Sequence, residues 1–101
     1  MQEGYKTATE IPLKTVKYCC KSLNICERIS KLMDDSMASD VGSGAHMAMS
    51  GAQAAAYNVK INLKSIKDES YVNQTNEKLE LILSKCKELL NTISEKVEGT
   101  L

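Results

Sequence analysis

The segment spanning residues 36–67 constrains the fold more than any other part of this sequence. It contains no proline, and small side chains dominate its first two-thirds, so it can form one continuous α-helix. Positions three, four and seven apart share a face of an α-helix. One such face carries a carboxylate, two carboxamides, two glycines and little bulk. Its members are Asp40, Gly44, Met47, Gly51, Ala55, Asn58 and Asn62.

Two explanations fit the composition of this face. Glycine inside a helix costs about 1 kcal/mol relative to alanine, so two glycines on one stripe indicate a specific requirement. One requirement is close helix–helix packing, because small residues let two backbones approach. The other is a ligand pocket, in which glycine leaves room and the polar side chains bind the ligand.

The charge balance argues against several classes of partner. The chain has 13 Lys and Arg against 13 Asp and Glu, so bulk electrostatic binding to nucleic acid or an anionic membrane is not expected. No stretch reaches the roughly 20 consecutive apolar residues of a membrane span. The N-terminus lacks the apolar core of a secretory signal. The sequence therefore predicts a cytoplasmic protein.

The four cysteines predict neither a metal site nor a disulfide framework. They form no CxxC pair, and the single histidine, His46, is distant from them in sequence. They are interpreted as small core or interface residues. The chain has no tryptophan or phenylalanine, so its core must be aliphatic, and partner subunits or further sequence would help to bury it.

Apolar residues also recur at spacings of three and four on either side of this segment, which predicts two further amphipathic helices. The first begins near Leu13, and Pro12 suits either its first turn or a kink in a continuing helix. The second follows Asp68, which is placed to cap it. Residues 1–10 are compatible with a short helix. The sequence predicts an all-α fold, an antiparallel bundle of three long helices plus a short N-terminal helical segment.

Of the side chains on this face, that of Asp40 is the best suited to take part in a reaction. A carboxylate among alanines and glycines would be partly desolvated and could exchange protons near neutral pH. Alternatively, Asp40 faces water in the first turn, where the helix dipole favours it. Asn58 and Asn62 could bind a heterocycle's amide edge or a neighbouring helix. His46 points about 120° away from this line and is interpreted as a surface or interface residue.

Several short motifs along the chain belong together. They are Ile11-Pro12-Leu13, Ser39-Asp40, Gly51-Ala52, Asn58-Val59, Ile61-Asn62-Leu63 and Asp68. In this order they resemble the cyclodeaminase/cyclohydrolase family, without gaps from about Met1 to the end of the last helix. The NV-x-IN-L segment followed by Asp68 is the most specific part. The family includes the cyclodeaminase domain of formiminotransferase-cyclodeaminase and bacterial methenyltetrahydrofolate cyclohydrolases.

The resemblance implies an all-helical fold, assembly as at least a dimer and a tetrahydrofolate one-carbon substrate, with no metal. Cyclodeaminases close 5-formiminotetrahydrofolate to 5,10-methenyltetrahydrofolate and release ammonia, whereas cyclohydrolases interconvert the methenyl and 10-formyl forms with water. By this resemblance Asp40 would act in acid–base catalysis or charge stabilisation. The implied pocket residues are Gly44, Met47, Gly51, Asn58 and Asn62.

The resemblance also indicates that part of a family domain is absent from this chain. Domains of the family are about twice this length, and their first half carries a glycine-rich PGGGS-like helix start that is missing here. Residues 1–101 are therefore expected to be the C-terminal half of a cyclodeaminase/cyclohydrolase-like helical domain, active only with the other half. The alternative is a non-catalytic helical module that self-associates through its small-residue face.

Overall fold

Three long helices account for almost the whole chain in the computed structural model, which describes residues 1–101. Helix α1 spans Gln2–Leu32, α2 spans Ala38–Leu63 and α3 spans Glu69–Thr100. A single 3₁₀ turn at Asp35–Met37 precedes α2. There is no strand, which confirms the all-α prediction. None of the helices combines the length and apolar character needed to cross a membrane.

The three helices form an elongated bundle of 51 × 17 × 16 Å in which sequential neighbours run antiparallel. The end of α2 lies against the start of α1, since Asn62 Nδ2 donates to the carbonyl oxygen of Ala8 at 3.1 Å. The same end of α2 lies near the first half of α3, where Lys60 Nζ is 3.8 Å from Glu80 Oε1. The short connections therefore produce the predicted antiparallel arrangement.

The core is aliphatic, as the composition requires, and most of its largest members come from α1 and α3. Half of the residues that α2 buries are alanines, which let its two neighbours approach closely. The largest fully buried side chains are Leu13, Leu23, Leu79, Ile93, Val16, Val59, Thr9 and Cys86. Each buried leucine or isoleucine contributes about 1.5–3 kcal/mol of transfer free energy. This small core holds all three helices together along their length.

The N-terminal segment and the first long helix are one continuous helix, so Pro12 lies inside α1. A proline has no N–H, and Pro12 therefore leaves the carbonyl of Ala8, four residues earlier, without its helical partner. Asn62 of α2 donates to that oxygen at 3.1 Å. The neighbouring helix thus replaces the hydrogen bond that the proline removes, and the helix continues through it.

The start of α1 is also tied to the connection between α2 and α3. Gln2 Nε2 donates to the carbonyl oxygen of Ser65 at 3.0 Å, and the Lys67 N–H donates to Gln2 Oε1 at 2.8 Å. The Tyr71 hydroxyl donates to Glu10 Oε1 at 2.8 Å. Partial burial and the Glu10 carboxylate raise the pKa of Tyr71 to about 12. These bonds join the first turns of α1 to residues more than 60 positions away in the sequence.

Asp68 caps α3, as the sequence predicts. Its Oδ1 accepts from the Tyr71 N–H at 3.1 Å, and its Oδ2 accepts from Lys6 Nζ at 3.0 Å. The backbone hydrogen bond and then the Lys6 ammonium hold the pKa of Asp68 below its usual range. One carboxylate therefore satisfies a free N–H at the start of α3 and links that helix to α1.

The Asp68→Asn variant is expected to show a pH-dependent loss of stability. Because the pKa of Asp68 is lower in the folded state, its charge stabilises the fold above the unfolded-state pKa of about 3.9. This stabilisation is lost as the pH falls through the folded-state pKa. The Tm of the wild type should exceed that of the variant at neutral pH, and the difference should shrink below about pH 4. An equal Tm difference at both pH values would contradict a role for the charge.

Candidate functional site

All six candidate site residues lie along one outward face of α2. Asp40, Gly44, Met47 and Asn58 are exposed, while Gly51 and Asn62 are half-buried. Ala55, which shares the stripe in the sequence, is buried and belongs to the core. Most of this face is therefore not used for packing within the chain and stays available to a ligand or a partner.

The second half of this face forms one wall of a groove between α1 and α2, with a volume of about 590 Å³. The groove falls in the range of about 300–1,000 Å³ that is typical of small-molecule sites. Its lining residues are Ala8, Ile11, Pro12, Thr15, Gly51, Ala54, Ala55, Asn58 and Asn62. The structure thus brings Gly51, Asn58 and Asn62 together with residues of the Ile11-Pro12 motif, which the periodicity of the sequence could not place.

Asp40, Gly44 and Met47 lie outside the groove, towards the start of α2. A rise of 1.5 Å per residue separates Asp40 from Asn58 by about 27 Å along the helix. Asp40 lies in the first turn of α2, where the helix dipole favours a carboxylate. Within one chain, therefore, the carboxylate and the groove carboxamides cannot act on the same atoms of a small ligand.

The three glycines of α2 differ in what surrounds them. A Cβ added to Gly51 would lie 3.1 Å from Cys19 Sγ, so this glycine allows the close approach of α1 and α2. Gly42, which the sequence did not single out, allows α3 to approach, since a Cβ there would lie 3.0 Å from Val97 Cγ1. Gly44 has no neighbouring atom within 4 Å of an added Cβ. Packing within the chain explains why positions 51 and 42 are glycine, but it gives no reason for glycine at position 44.

Asn62 is already engaged in the structure through its bond to Ala8. A carboxamide has two N–H donors and an oxygen acceptor, so one bond leaves capacity for a ligand. Asn58 lies one turn earlier and is exposed at the rim of the groove. The two carboxamides therefore differ: Asn62 has a structural role, and Asn58 is the more available of the two.

A second cavity, of about 370 Å³, lies between the start of α2 and the end of α3. Its lining residues are Ser39, Gly42, Ser43, His46, Ser94, Val97, Glu98 and Leu101. Ser39, Ser43 and His46 are spaced by four and three, so they share a face of α2, and this spacing is the sequence signal for the polar wall of the cavity. His46 is exposed there.

The cysteines lie against the core between the helices. All four are free thiols; Cys86 is buried, and the other three are half-buried. Burial, with Cys20 nearby, raises the pKa of Cys86 to about 12, and burial also raises the pKa of Cys19. A thiol with a raised pKa is a poor nucleophile at neutral pH, which fits a packing role. No three His, Cys, Asp or Glu side chains converge as metal ligands would.

Comparison with known proteins identifies relatives whose similarity to this chain includes the motifs that line the groove. A model of the formiminotransferase-cyclodeaminase family matches residues 1–81. The chain is 30% identical over 99 residues to methenyltetrahydrofolate cyclohydrolase of Methylorubrum extorquens. This alignment covers 98% of this chain and 48% of that relative. It is 33% identical over 91 residues to formimidoyltransferase-cyclodeaminase of Gallus gallus. This alignment covers 87% of this chain and 16% of that relative.

The chain therefore spans about half the length of the bacterial relative and a smaller part of the avian one. The family match extends over all of α1 and α2 and the first part of α3. It includes the groove and every candidate site residue. This chain belongs to the formiminotransferase-cyclodeaminase family.

Proposed function

We propose that this protein acts in folate one-carbon metabolism as part of a cyclodeaminase or a cyclohydrolase, with a tetrahydrofolate derivative as substrate. Family membership supports this proposal, and so do the names of the two relatives, one a cyclohydrolase and one a cyclodeaminase. Residues 1–101 would form the C-terminal half of the helical domain. The complete protein would work in the cytoplasm as a dimer, with lyase or hydrolase chemistry and no metal.

The groove between α1 and α2 is the observation that supports the proposal most directly. The Ile11-Pro12 motif and the asparagines Asn58 and Asn62 are far apart in sequence, yet they line one cavity of about 590 Å³. Apolar contacts from α1 and carboxamides from α2 suit a flat heterocycle with an amide edge. The groove is therefore the proposed substrate-binding surface, with Gly51 among its lining residues.

Asp40 is the proposed catalytic residue, in a site that the other half of the domain would complete, because Asp40 lies about 27 Å along α2 from Asn58 in the groove. Both candidate reactions transfer a proton at a one-carbon unit held between two nitrogens, and the methenyl bridge is cationic. A carboxylate stabilises such a cation and can also accept or return the proton. Gly44 and Met47 follow Asp40 on the same exposed face, about one and two turns further along α2. Gly44 would leave room for the substrate, and Met47 would contact it.

The test of this function restores the rest of the domain. The genomic DNA upstream of Met1 is read in frame, and the longer protein is expressed and purified. Ammonia release from 5-formiminotetrahydrofolate reports deamination, and the absorbance of the methenyl form reports hydrolysis. We expect one of the two activities, and we expect the 101-residue chain alone to be inactive as a control. A folded longer protein that neither binds nor converts any tetrahydrofolate form would reject the proposal.

A non-catalytic self-association module is the second candidate function. The exposed positions of Asp40, Gly44 and Met47, outside the groove, favour it. In this case the small residues of α2 would serve a partner helix rather than a substrate. The two candidates differ in their requirement for Asp40, because a structural module does not need its proton chemistry.

Gly44→Leu is expected to weaken self-association without unfolding the chain. Gly44 has open space around an added Cβ, so leucine fits the monomer but obstructs a partner helix. Gly51→Leu is a poorer test, because the 3.1 Å contact with Cys19 would also disturb the packing of α1 on α2. Light scattering should show a lower mass for Gly44→Leu, with Gly4→Leu, another open position, as the matched control. An unchanged mass would argue against this face as the contact.

A further inference from the structure

The hydrogen bond between Asn62 and Ala8 fixes the orientation of a carboxamide that lines the groove. The carbonyl oxygen of Ala8 lacks its usual helical partner, because Pro12 has no N–H. Asn62 Nδ2 donates to that oxygen from α2 at 3.1 Å. A reversed carboxamide would place its own oxygen against the carbonyl oxygen, and both atoms are acceptors. A proline of α1 therefore determines the direction of a side chain on α2.

This orientation determines what Asn62 offers to a ligand. The bond to Ala8 is the only side-chain hydrogen bond that Asn62 makes, so its Oδ1 has no partner within the chain. No buried side-chain oxygen or nitrogen lacks a partner in this structure, and Oδ1 is therefore open to solvent. Because Asn62 lines the groove, a ligand bound there meets an acceptor whose direction is already set.

The other polar groups of the groove lead to the same preference. Thr15 Oγ1 donates to the carbonyl oxygen of Ile11 at 3.3 Å, so the hydroxyl oxygen remains as an acceptor. Asn58 is exposed and lines the groove without a side-chain hydrogen bond, so its carboxamide can present either end. No charged residue lines the groove. Fixed acceptors without charge suit a neutral ligand that presents N–H donors.

We propose that Pro12 is a positioning residue that acts through Asn62, so that the groove selects neutral, flat heterocycles with an N–H donor on the edge that faces Asn62. This inference rests on the proposed function, in which the groove binds the substrate. A site with a fixed acceptor discriminates against an analogue that lacks the donor, because the acceptor is then left without a partner. A heterocycle with an amino substituent meets this requirement.

The orientation of Asn62 is tested without a ligand. Proton exchange of the side-chain amides is measured by NMR on the 101-residue chain. One Asn62 amide proton should exchange at least about tenfold more slowly than those of Asn58, the matched control one turn earlier on α2. Pro12→Ala should reduce this protection, because the new backbone N–H competes for the Ala8 oxygen. Equal exchange at Asn58 and Asn62 in the wild type would overturn the proposal.

Selectivity is tested with two small heterocycles that differ by one amino group, 2-aminopyrimidin-4-one and pyrimidin-4-one. Their dissociation constants are measured on the 101-residue chain by titration of the NMR signals of the groove. The wild type should bind the amino compound at least about fivefold more tightly, which is the effect of one neutral hydrogen bond. In Asn62→Ala the two affinities should agree to within about twofold. Asn58→Ala should weaken both compounds and retain the preference, because the acceptor of Asn62 remains.

Pro12→Ala separates positioning from a purely structural role. Alanine is more favourable than proline inside a helix, so the Tm should rise while the preference for the amino compound falls at least about twofold. A raised Tm with an unchanged preference would reject Pro12 as a positioning residue. Failure of both compounds to shift the groove signals would reject the selection itself. Neither compound is a folate, so a restored domain without folate activity would reject the proposed function independently of these results.

Discussion

Asp40→Asn in the restored domain is expected to lower the turnover of the folate substrate by about 10²–10⁴-fold, the usual contribution of a positioned acid or base. Asparagine preserves the size of the side chain but carries neither the charge nor the exchangeable proton. Asp40 is exposed in the first turn of α2, so the substitution removes little that the fold requires. Helix content and Tm should stay close to those of the wild type.

The measurement is kcat for ammonia release and for interconversion of the methenyl form, together with the thermal unfolding curve. Asp35→Asn is the matched control, because Asp35 is also exposed but lies in the adjacent 3₁₀ turn rather than in α2. The control should retain full activity. An unchanged kcat in Asp40→Asn would show that Asp40 takes no part in the reaction, and it would favour the second candidate function, the non-catalytic self-association module.

Leu23→Ala is expected to reduce the free energy of unfolding by about 2–5 kcal/mol, through lost burial and the cavity left behind. Leu23 is 0% exposed in the second half of α1 and belongs to the core, which has few large side chains that could relax into the gap. Domains of this size have a total stability of about 5–15 kcal/mol. The variant should therefore be strongly destabilised or largely unfolded at physiological temperature.

Ile25→Ala provides the matched control for Leu23→Ala. Ile25 lies two residues further along α1 and is 54% exposed, so its truncation should change the free energy of unfolding by no more than about 0.5 kcal/mol. Urea denaturation followed by circular dichroism measures both values. Equal losses for the two variants would mean that the outward face of α1 is covered in solution, in contrast to the arrangement described.

The sequence predicted most of the secondary structure because local patterns determine it. The regular spacing of apolar residues in α3 and the acceptor at Asp68 identified the third helix and its start. The second helix was expected over residues 36–67 and spans Ala38–Leu63. Its first turn is displaced because Asp34 caps the 3₁₀ turn, where its side chain accepts from the Ser36 N–H, rather than α2 itself.

Other features could not be read from the sequence because they depend on distant residues. Pro12 was compatible with a helix start or a kink, and the bond from Asn62 to Ala8 allows α1 to continue through it. Leu32 follows Ile29 at the apolar spacing of the first helix, which predicts that it is buried, whereas the structure leaves it 87% exposed. The buried face is narrower than the apolar stripe, because only α2 and α3 are present to cover it.

The candidate site shows the same division. Residue types and the spacing of α2 were sufficient to single out Asp40, Gly51, Asn58 and Asn62, and motif order was sufficient to indicate the family. Only the tertiary structure showed that Gly51 permits close packing against Cys19, whereas Asp40 lies apart from the groove. The physical reason is that helical periodicity determines the direction in which each side chain points, while the packing of the neighbouring helices determines which of these side chains are buried.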